Sequence, residues 1–242
     1  MNGEDTIKKS SAGRGVGRGS IAAAMEEIHE EISRIGARVA EIEADRTLDA
    51  DERERVVREL QARSSVLTGK YVLAHRLLES LGFSELMAAI REVLESLVGL
   101  SSFAVYWSEG PEKDLLLCTV EPPGVTADAR LRPGDGPVGS VALRGRSYLA
   151  RVEERRFTEP PTPIGWFPLL HEGEERGGIA VFEMLSHKKG FEAGDLELLE
   201  MLSEHAGEAI LDASRRVRAL HRVESMADVI ARSGASFAES DE

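Results

Sequence analysis

Residues 136–157 read GPVGSVALRGRSYLARVEERRF. That is a Gly-rich turn, a short apolar helix with Pro137 in its first turn and Gly145 as its stop, a basic hinge, and an extended piece ending on Phe157. Three uses fit that order of elements: a phosphate-binding loop, a wall of a ligand pocket, or a connection between strands. A G-x-x-x-x-G-K-[ST] loop needs a Lys after its last Gly, and none follows here. The first amides of the PVGSVAL helix, with Arg144 and Arg146 close by, can be read as an anion site. The plainer reading is a turn whose glycines permit tight geometry.

The flanks decide between the remaining uses. Upstream, SSFAVYW alternates Phe103, Val105 and Trp107 with Ala104 and Tyr106, a polar turn follows, and LLLCTV returns, which predicts a hairpin of two strands. Ahead of it, SELMAAIREVLESLVGL is a helix with Ser84 as its cap. Downstream, RSYLARV is a short strand, and GWFPLLHEGEERGGIAVFEML carries two more, joined by an acidic turn and Gly177-Gly178. A single long amphipathic helix, FEAGDLELLEMLSEHAGEAILDASRRVRALHRVESMADVIARS, closes the series. Helices before and after a run of short strands predict an α+β fold, an antiparallel sheet flanked by helices.

The N-terminal third reads differently. Residues 1–20 are Gly- and Ser-rich with Lys8, Lys9, Arg14 and Arg18, a basic arm expected to be disordered. From Ser20 onward, Met25, Ile28, Ile32, Ile35, Val39 and Ile42 follow a 3-4-3-4-3 spacing, a heptad seam. Its register would next place Arg46, Asp49 and Arg53 in the seam, so the stripe stops. A second stripe, out of phase, runs through Val57, Leu60, Ser64, Leu67, Tyr71, Ala74, Leu78 and Leu81. Residues 21–45 folding back on 50–75 as a helical hairpin is the favoured reading, and a continuous coiled-coil rod with a stutter is the alternative. A seam this narrow asks for a partner helix, so homodimerisation is expected.

Composition bounds the chemistry. The chain has 242 residues and a net charge of -13, which argues against a nucleic-acid partner, because phosphate binding needs clustered Lys and Arg. No apolar run approaches the roughly 18 residues that cross a bilayer, so no membrane insertion is expected. The N-terminus carries no apolar segment of the secretory kind, and a cytoplasmic location is expected. One cysteine, Cys118, allows neither an intrachain disulfide nor a Cys-type metal site, and it reads as a structural thiol. The six histidines are scattered, without H-x3-H or H-E-x-x-H spacing; His205 and His221 are expected to face water or a partner helix, and His171 to sit in a turn. No metal, cofactor or catalytic residue is expected, and the chain does not read as an enzyme.

GDGPVGSVALRGRSYLARVEERRF (134–157) and FEAGDLELLEMLSEHAGEAILDA (191–213), in this order and spacing, resemble the GAF domain, a small-molecule and signalling module of bacterial sensors. The likeness spans about residues 70–215. It implies that the opening stretch caps one face of the sheet and encloses whatever is bound. Cyclic-nucleotide-binding members carry an Asn, Lys, Phe and Asp-Glu signature. Here Phe191 and Asp195 fit, but Leu196 replaces the second acid and no upstream Asn is evident; Asp195 reads as a carboxylate serving the start of the last helix. Bilin-binding members need a thiol beside a His, and methionine-sulfoxide reductases need several cysteines. Neither requirement is met.

Candidate pocket residues, chosen as bulky side chains on strands and the short helix, are Phe103, Val105, Trp107, Leu117, Val138, Val141, Phe157, Trp166 and Phe182. A filled core with no cavity is the competing reading of the same residues. The division expected is a basic arm (1–20), a hairpin or coiled coil (21–69), a GAF-like domain (70–215), and a helical extension with an acidic tail (216–242). The function expected is non-catalytic regulation: the domain senses a small molecule or another cytoplasmic signalling protein and relays through dimerising helices. The alternative is a ligand-free scaffold.

Overall fold

A computed structural model describes residues 18–45, 49–80, 82–110, 114–123, 127–144, 147–149, 162–221 and 225–238. Phe157, Arg146, Gly145, Leu81, the acidic tail and nearly all of the basic arm lie outside the described residues.

The two stripes form an antiparallel pair of helices, α1 (Arg18–Ala44) and α2 (Ala50–Glu79), so the hairpin holds and not the rod. Where the first seam would continue with charged residues, the chain turns instead. The Asp49 carboxylate accepts the Asp51 N–H at 3.3 Å as the N-cap of α2, and Arg53 donates to the Asp45 carbonyl at 2.8 Å. Ile28 and Ile42 are buried, while Ile32, Ile35, Val39 and Leu60 are half-buried. The partner helix that the seam called for is therefore α2 of the same chain. Each buried aliphatic contributes about 1.5–3 kcal/mol.

α2 does not break at residue 70, where the sequence suggested a domain boundary; it runs unbroken to Glu79 and packs along α5 (Ala193–His221). A Cβ on Gly194 would lie 2.8 Å from Val66, and one on Gly69 would lie 3.3 Å from Leu198. Arg63 and Lys70 both reach Glu197, at 2.8 and 2.7 Å, and hold its carboxyl below the ordinary range. Further along, Arg216 donates to the Ser80 carbonyl at 3.2 Å. One helix thus belongs to the hairpin and the domain together.

After α2 comes α3 (Phe83–Val93), which runs on through a π-helical turn, Leu94–Val98. Its N-cap is Gly82, not Ser84: the Glu85 carboxylate reaches back to accept the Gly82 N–H at 3.1 Å, and that bond sets the start two residues earlier. Six strands follow: β1 (Leu100–Trp107), β2 (Leu115–Glu121), β3 (Arg130–Leu131), β4 (Tyr148–Leu149), β5 (Gly165–His171) and β6 (Glu174–Met184). Between β3 and β4 lies α4 (Gly136–Ala142). Every pairing is antiparallel, in the order β3-β2-β1-β6-β5-β4. The turn between β5 and β6 falls at Glu172-Gly173, with φ of 53° and 79°, and Gly177-Gly178 lies inside β6.

The closing helix is two helices. α5 ends at His221, and α6 (Met226–Ala238) returns to pack on α3, β2 and α5. Ser225 accepts the Asp228 N–H at 3.2 Å, a cap in the middle of what periodicity made one helix. On α5, His205 is buried, lying on the face that carries Gly194 and Leu198 toward α2, and burial lowers its pKa. His221 is exposed, and His171 ends β5 with Nδ1 3.0 Å from Glu208.

A buried ion pair ties the ends of this layer together. The Lys188 ammonium, in the β6–α5 loop, lies 2.6 and 2.7 Å from the two oxygens of Asp195 and donates to the Val98 carbonyl at 2.6 Å. Asp195 also accepts the Glu192 N–H at 2.9 Å. Its role at the start of α5 is therefore to anchor a lysine and the preceding loop. Replacing Lys188 by Met leaves the buried carboxylate with the Glu192 N–H but without its cation, so urea denaturation should show a loss of about 2–3 kcal/mol, largely recovered in Lys188→Met/Asp195→Leu. Ile32→Asp with Ile35→Asp puts two charges into the hairpin seam. Melting followed by circular dichroism should then show an early helical transition, costing about 2 kcal/mol or more, while the sheet domain still melts cooperatively.

Candidate functional site

The sheet's two faces are covered unequally. One face carries Phe103, Val105 and Trp107 of β1, Phe167 and Leu169 of β5, and Ile179 and Val181 of β6, packed under α5, with α3 and α6 against β2 and α2 behind α3 and α5. The other carries Ala104 and Tyr106 of β1, Leu115, Leu117 and Val120 of β2, Trp166 of β5, and Ala180 and Phe182 of β6. Among the described helices, only α4 lies over this second face, contributing Val138, Val141 and Ala142.

The expected pocket set is accordingly split. Leu117, Val138, Val141, Trp166 and Phe182 come together on the second face. Phe103, Val105 and Trp107 do not join them: they belong to the helix-covered core, where they are 0–2 % exposed. β1 is apolar at every position from Phe103 to Trp107, so side-chain bulk alone drew the expected set from both faces of the sheet. The residues of the second face outside that set include Ala104, Tyr106 and Ala180. The register puts Val120, Ala104, Ala180, Trp166 and Tyr148 in one row across five strands, and Leu117, Tyr106 and Gly178 in a neighbouring row. Small residues lie at the centre of these rows, with the rings of Tyr106, Trp166 and Phe182 packed beside them.

Trp166 leans inward over Gly178, where an added Cβ would fall only 2.1 Å from its ring, so this glycine is required by close approach. Its indole Nε1 donates to Glu175 at 3.1 Å. Burial pushes the Glu175 carboxyl up, with the indole bond opposing. Tyr106 is 1 % exposed, and its phenol is pushed up to about 12 by burial, with the negative charge of Asp128 adding to it. These groups place a phenol, an indole N–H and a carboxyl beside an otherwise apolar surface.

The opening stretch makes its turn with Gly134 and Gly136 at φ of 98° and 63°, and the Gly134 N–H donates to the Gly139 carbonyl at 2.7 Å, fastening the turn to α4. The anion reading is not supported at Arg144. That residue lies past the C-terminal end of α4, away from the helix's first amides, and its guanidinium sits 4.6 Å above the Tyr148 ring. Cys118 is on the helix side of β2 at a bulge, donating weakly to the Leu116 carbonyl at 3.6 Å, and burial pushes its thiol up. Among the described residues no group of three or more His, Cys, Asp or Glu is placed to hold a metal ion, and no helix is long and apolar enough to cross a membrane.

The raised phenol generates a pH prediction. Because the folded pKa of Tyr106 exceeds the ordinary 10.0, its contribution to stability is complete below pH 10 and is lost as pH rises toward 12. Ultraviolet titration should show one of the three tyrosines ionising late, that phase should vanish in Tyr106→Phe, and the variant's alkaline loss of stability should be shallower.

The sequence model of the GAF domain family matches residues 80–211. The fold is similar to the GAF domain of a phosphoenolpyruvate-protein phosphotransferase from Coxiella burnetii, at 16% identity and a TM-score of 0.50, covering 63% of this chain and 96% of that one. It is similar also to the GAF domain of the Acinetobacter phosphoenolpyruvate-protein phosphotransferase, at 14% identity and a TM-score of 0.51, covering 63% and 97%. At such identities the likeness is one of fold. Comparison with curated proteins gives no match. The family match takes in the whole sheet, both of its faces and most of α5, and it spans more than half of the 242 residues: this chain belongs to the GAF domain family.

Proposed function

We propose that this protein is a non-catalytic regulatory module whose second sheet face takes a small molecule and whose flanking helices relay its occupancy to another signalling protein, as a homodimer. The observation that carries the reading is the inequality of the two faces. One is given to the long helices, and the other sets Ala104, Ala180 and Gly178 beside Tyr106, Trp166 and Phe182, with α4 as its cover among the described helices. An apolar face with aromatic rings, a phenol and an indole–carboxylate pair suits a planar or aromatic ligand carrying one or two polar atoms, admitted when α4 or Trp166 gives way. Family membership supports the general role. The perturbed titratable groups Glu95, Tyr106, Glu175 and His205 stand on different elements, an arrangement that fits a regulatory reading.

A second reading rests on the same face. Trp166 is 0 % exposed and fills the space above Gly178, which favours a packed core and a ligand-free scaffold acting through its surface. Native mass spectrometry of the chain purified from its own host separates the two. The first reading expects an adduct that is lost on denaturation and weakened in Tyr106→Phe, on a species of twice the chain mass. A bare dimer leaves the scaffold, and a bare monomer overturns both the ligand and the dimer.

A further inference from the structure

Trp166 lays a flat, hydrogen-bonded ring on β6, and those two contacts together describe a small molecule. In register the residue stands opposite Ala180, but its indole extends over Gly178, where an added Cβ would fall 2.1, 2.4 and 2.6 Å from Cζ2, Cε2 and Cη2. At the edge of the ring Nε1 donates to the Glu175 carboxyl at 3.1 Å. The bare Cα of Gly178 therefore gives a planar ring a seat against the backbone, and Glu175 supplies one acceptor beside that seat. Tyr106 and Ala104 of β1 adjoin it, paired in register with Gly178 and Ala180. Trp166 itself is fully buried, whereas Glu175 is half-buried, so the acceptor borders water and the ring does not.

We propose that the Trp166 indole is an internal stand-in, and that the ligand of the second face is a two-ring heteroaromatic with a ring N–H, which displaces the indole by taking its seat on Gly178 and its hydrogen bond to Glu175. The inference rests on the small-molecule reading of this face and narrows the ligand class. Displacement exchanges like for like: one indole-sized surface leaves β6 for water as another arrives from water, so the apolar contributions nearly cancel. Discrimination between ligands then falls to Glu175. A ring of the same outline without an N–H leaves that carboxyl without its donor, and a recognition group left unpaired rejects a ligand more strongly than a missing methylene does. The position of Trp166, buried or displaced, reports whether the face is occupied.

The test is fluorine NMR of the full chain labelled with fluorotryptophan, its two tryptophans assigned with Trp166→Phe. The probes are indole and benzothiophene, which has nearly the same outline and no N–H. Indole should move the Trp166 resonance to that of a solvent-exposed residue and leave Trp107 in place, and benzothiophene should need about ten times the concentration. In Glu175→Ala the two probes should act at equal concentrations. A Trp166 resonance that stays buried up to the solubility limit of indole overturns the proposal, as does equal potency of the two probes on the unmutated chain. Joint movement of both tryptophan resonances overturns it too, because the probe then loosens the whole core. An adduct carried from the host while Trp166 stays buried sinks the exchange alone and leaves the proposed function standing.

Discussion

The central strands β1 and β6 are apolar on both sides, and that constraint organises the molecule. From Phe103 to Trp107 every side chain of β1 is at most 2 % exposed, and from Gly177 to Phe182 every residue of β6 is buried. A sheet of this kind must be covered twice. On the first face the cover is α3, α5 and α6, meeting a continuous apolar surface. On the second, among the described helices, it is α4 over small and aromatic residues. The asymmetry follows from side-chain volume. Alanines at 104 and 180 cannot fill the distance to a packed helix, whereas Phe103, Val105, Ile179 and Val181 on the opposite face can.

The helical cover is attached by different chemistries at different points. Between α2 and α5 there is glycine-mediated close approach at Gly69 and Gly194, flanked by the Glu197 pairs, whose partly solvated position keeps each of them modest. At the far side of the layer the Lys188–Asp195 pair is buried and also satisfied by backbone, so it acts as a geometric constraint on where α5 begins relative to the turn before β1. Because α2 belongs equally to hairpin and domain, a change in the packing of α5 is felt along α1 and α2. It does not stop at a linker.

Much of this architecture was legible in the chain. The change from heptad spacing to alternation between residues 97 and 103 separates helix from strand, and the two out-of-phase stripes set the hairpin because charged residues occupy the seam positions between them. What could not be read was phase and tertiary capping. SSFAVYW has bulky residues on both faces, so periodicity alone names either set, and volume favoured Phe103, Val105 and Trp107 over the pair that faces α4. The break between α5 and α6 was hidden because Met226 and Val229 continue a helical spacing; only Ser225 marks it from sequence, and the Glu109 cap comes from over a hundred residues away. Lys188 was missed for the same reason, its partner at Val98 being distant in the chain.

The two faces communicate through single peptide bonds. Tyr106 stands on the second face, and its neighbour Trp107 reaches the opposite layer, where its ring would lie 3.2 Å from a Cβ on Gly207 of α5. Two residues later Glu109 holds Arg218 and the start of α6. A strand flanked by hydrogen-bonded neighbours on both sides moves as a unit, and close-packed interiors pass displacement on because they have no slack to absorb it. A shift of β1 by a fraction of an ångström at Tyr106 must therefore be accommodated at Trp107 against α5 and at Glu109 against α6. The two contacts differ in kind: Trp107 meets α5 in a filled core, whereas Glu109 is partly exposed and accepts from the Met226 N–H and from Arg218. A displacement at the first is resisted by close packing and at the second by charge and hydrogen bonding, so β1 is joined to the two C-terminal helices by different physics at points two residues apart.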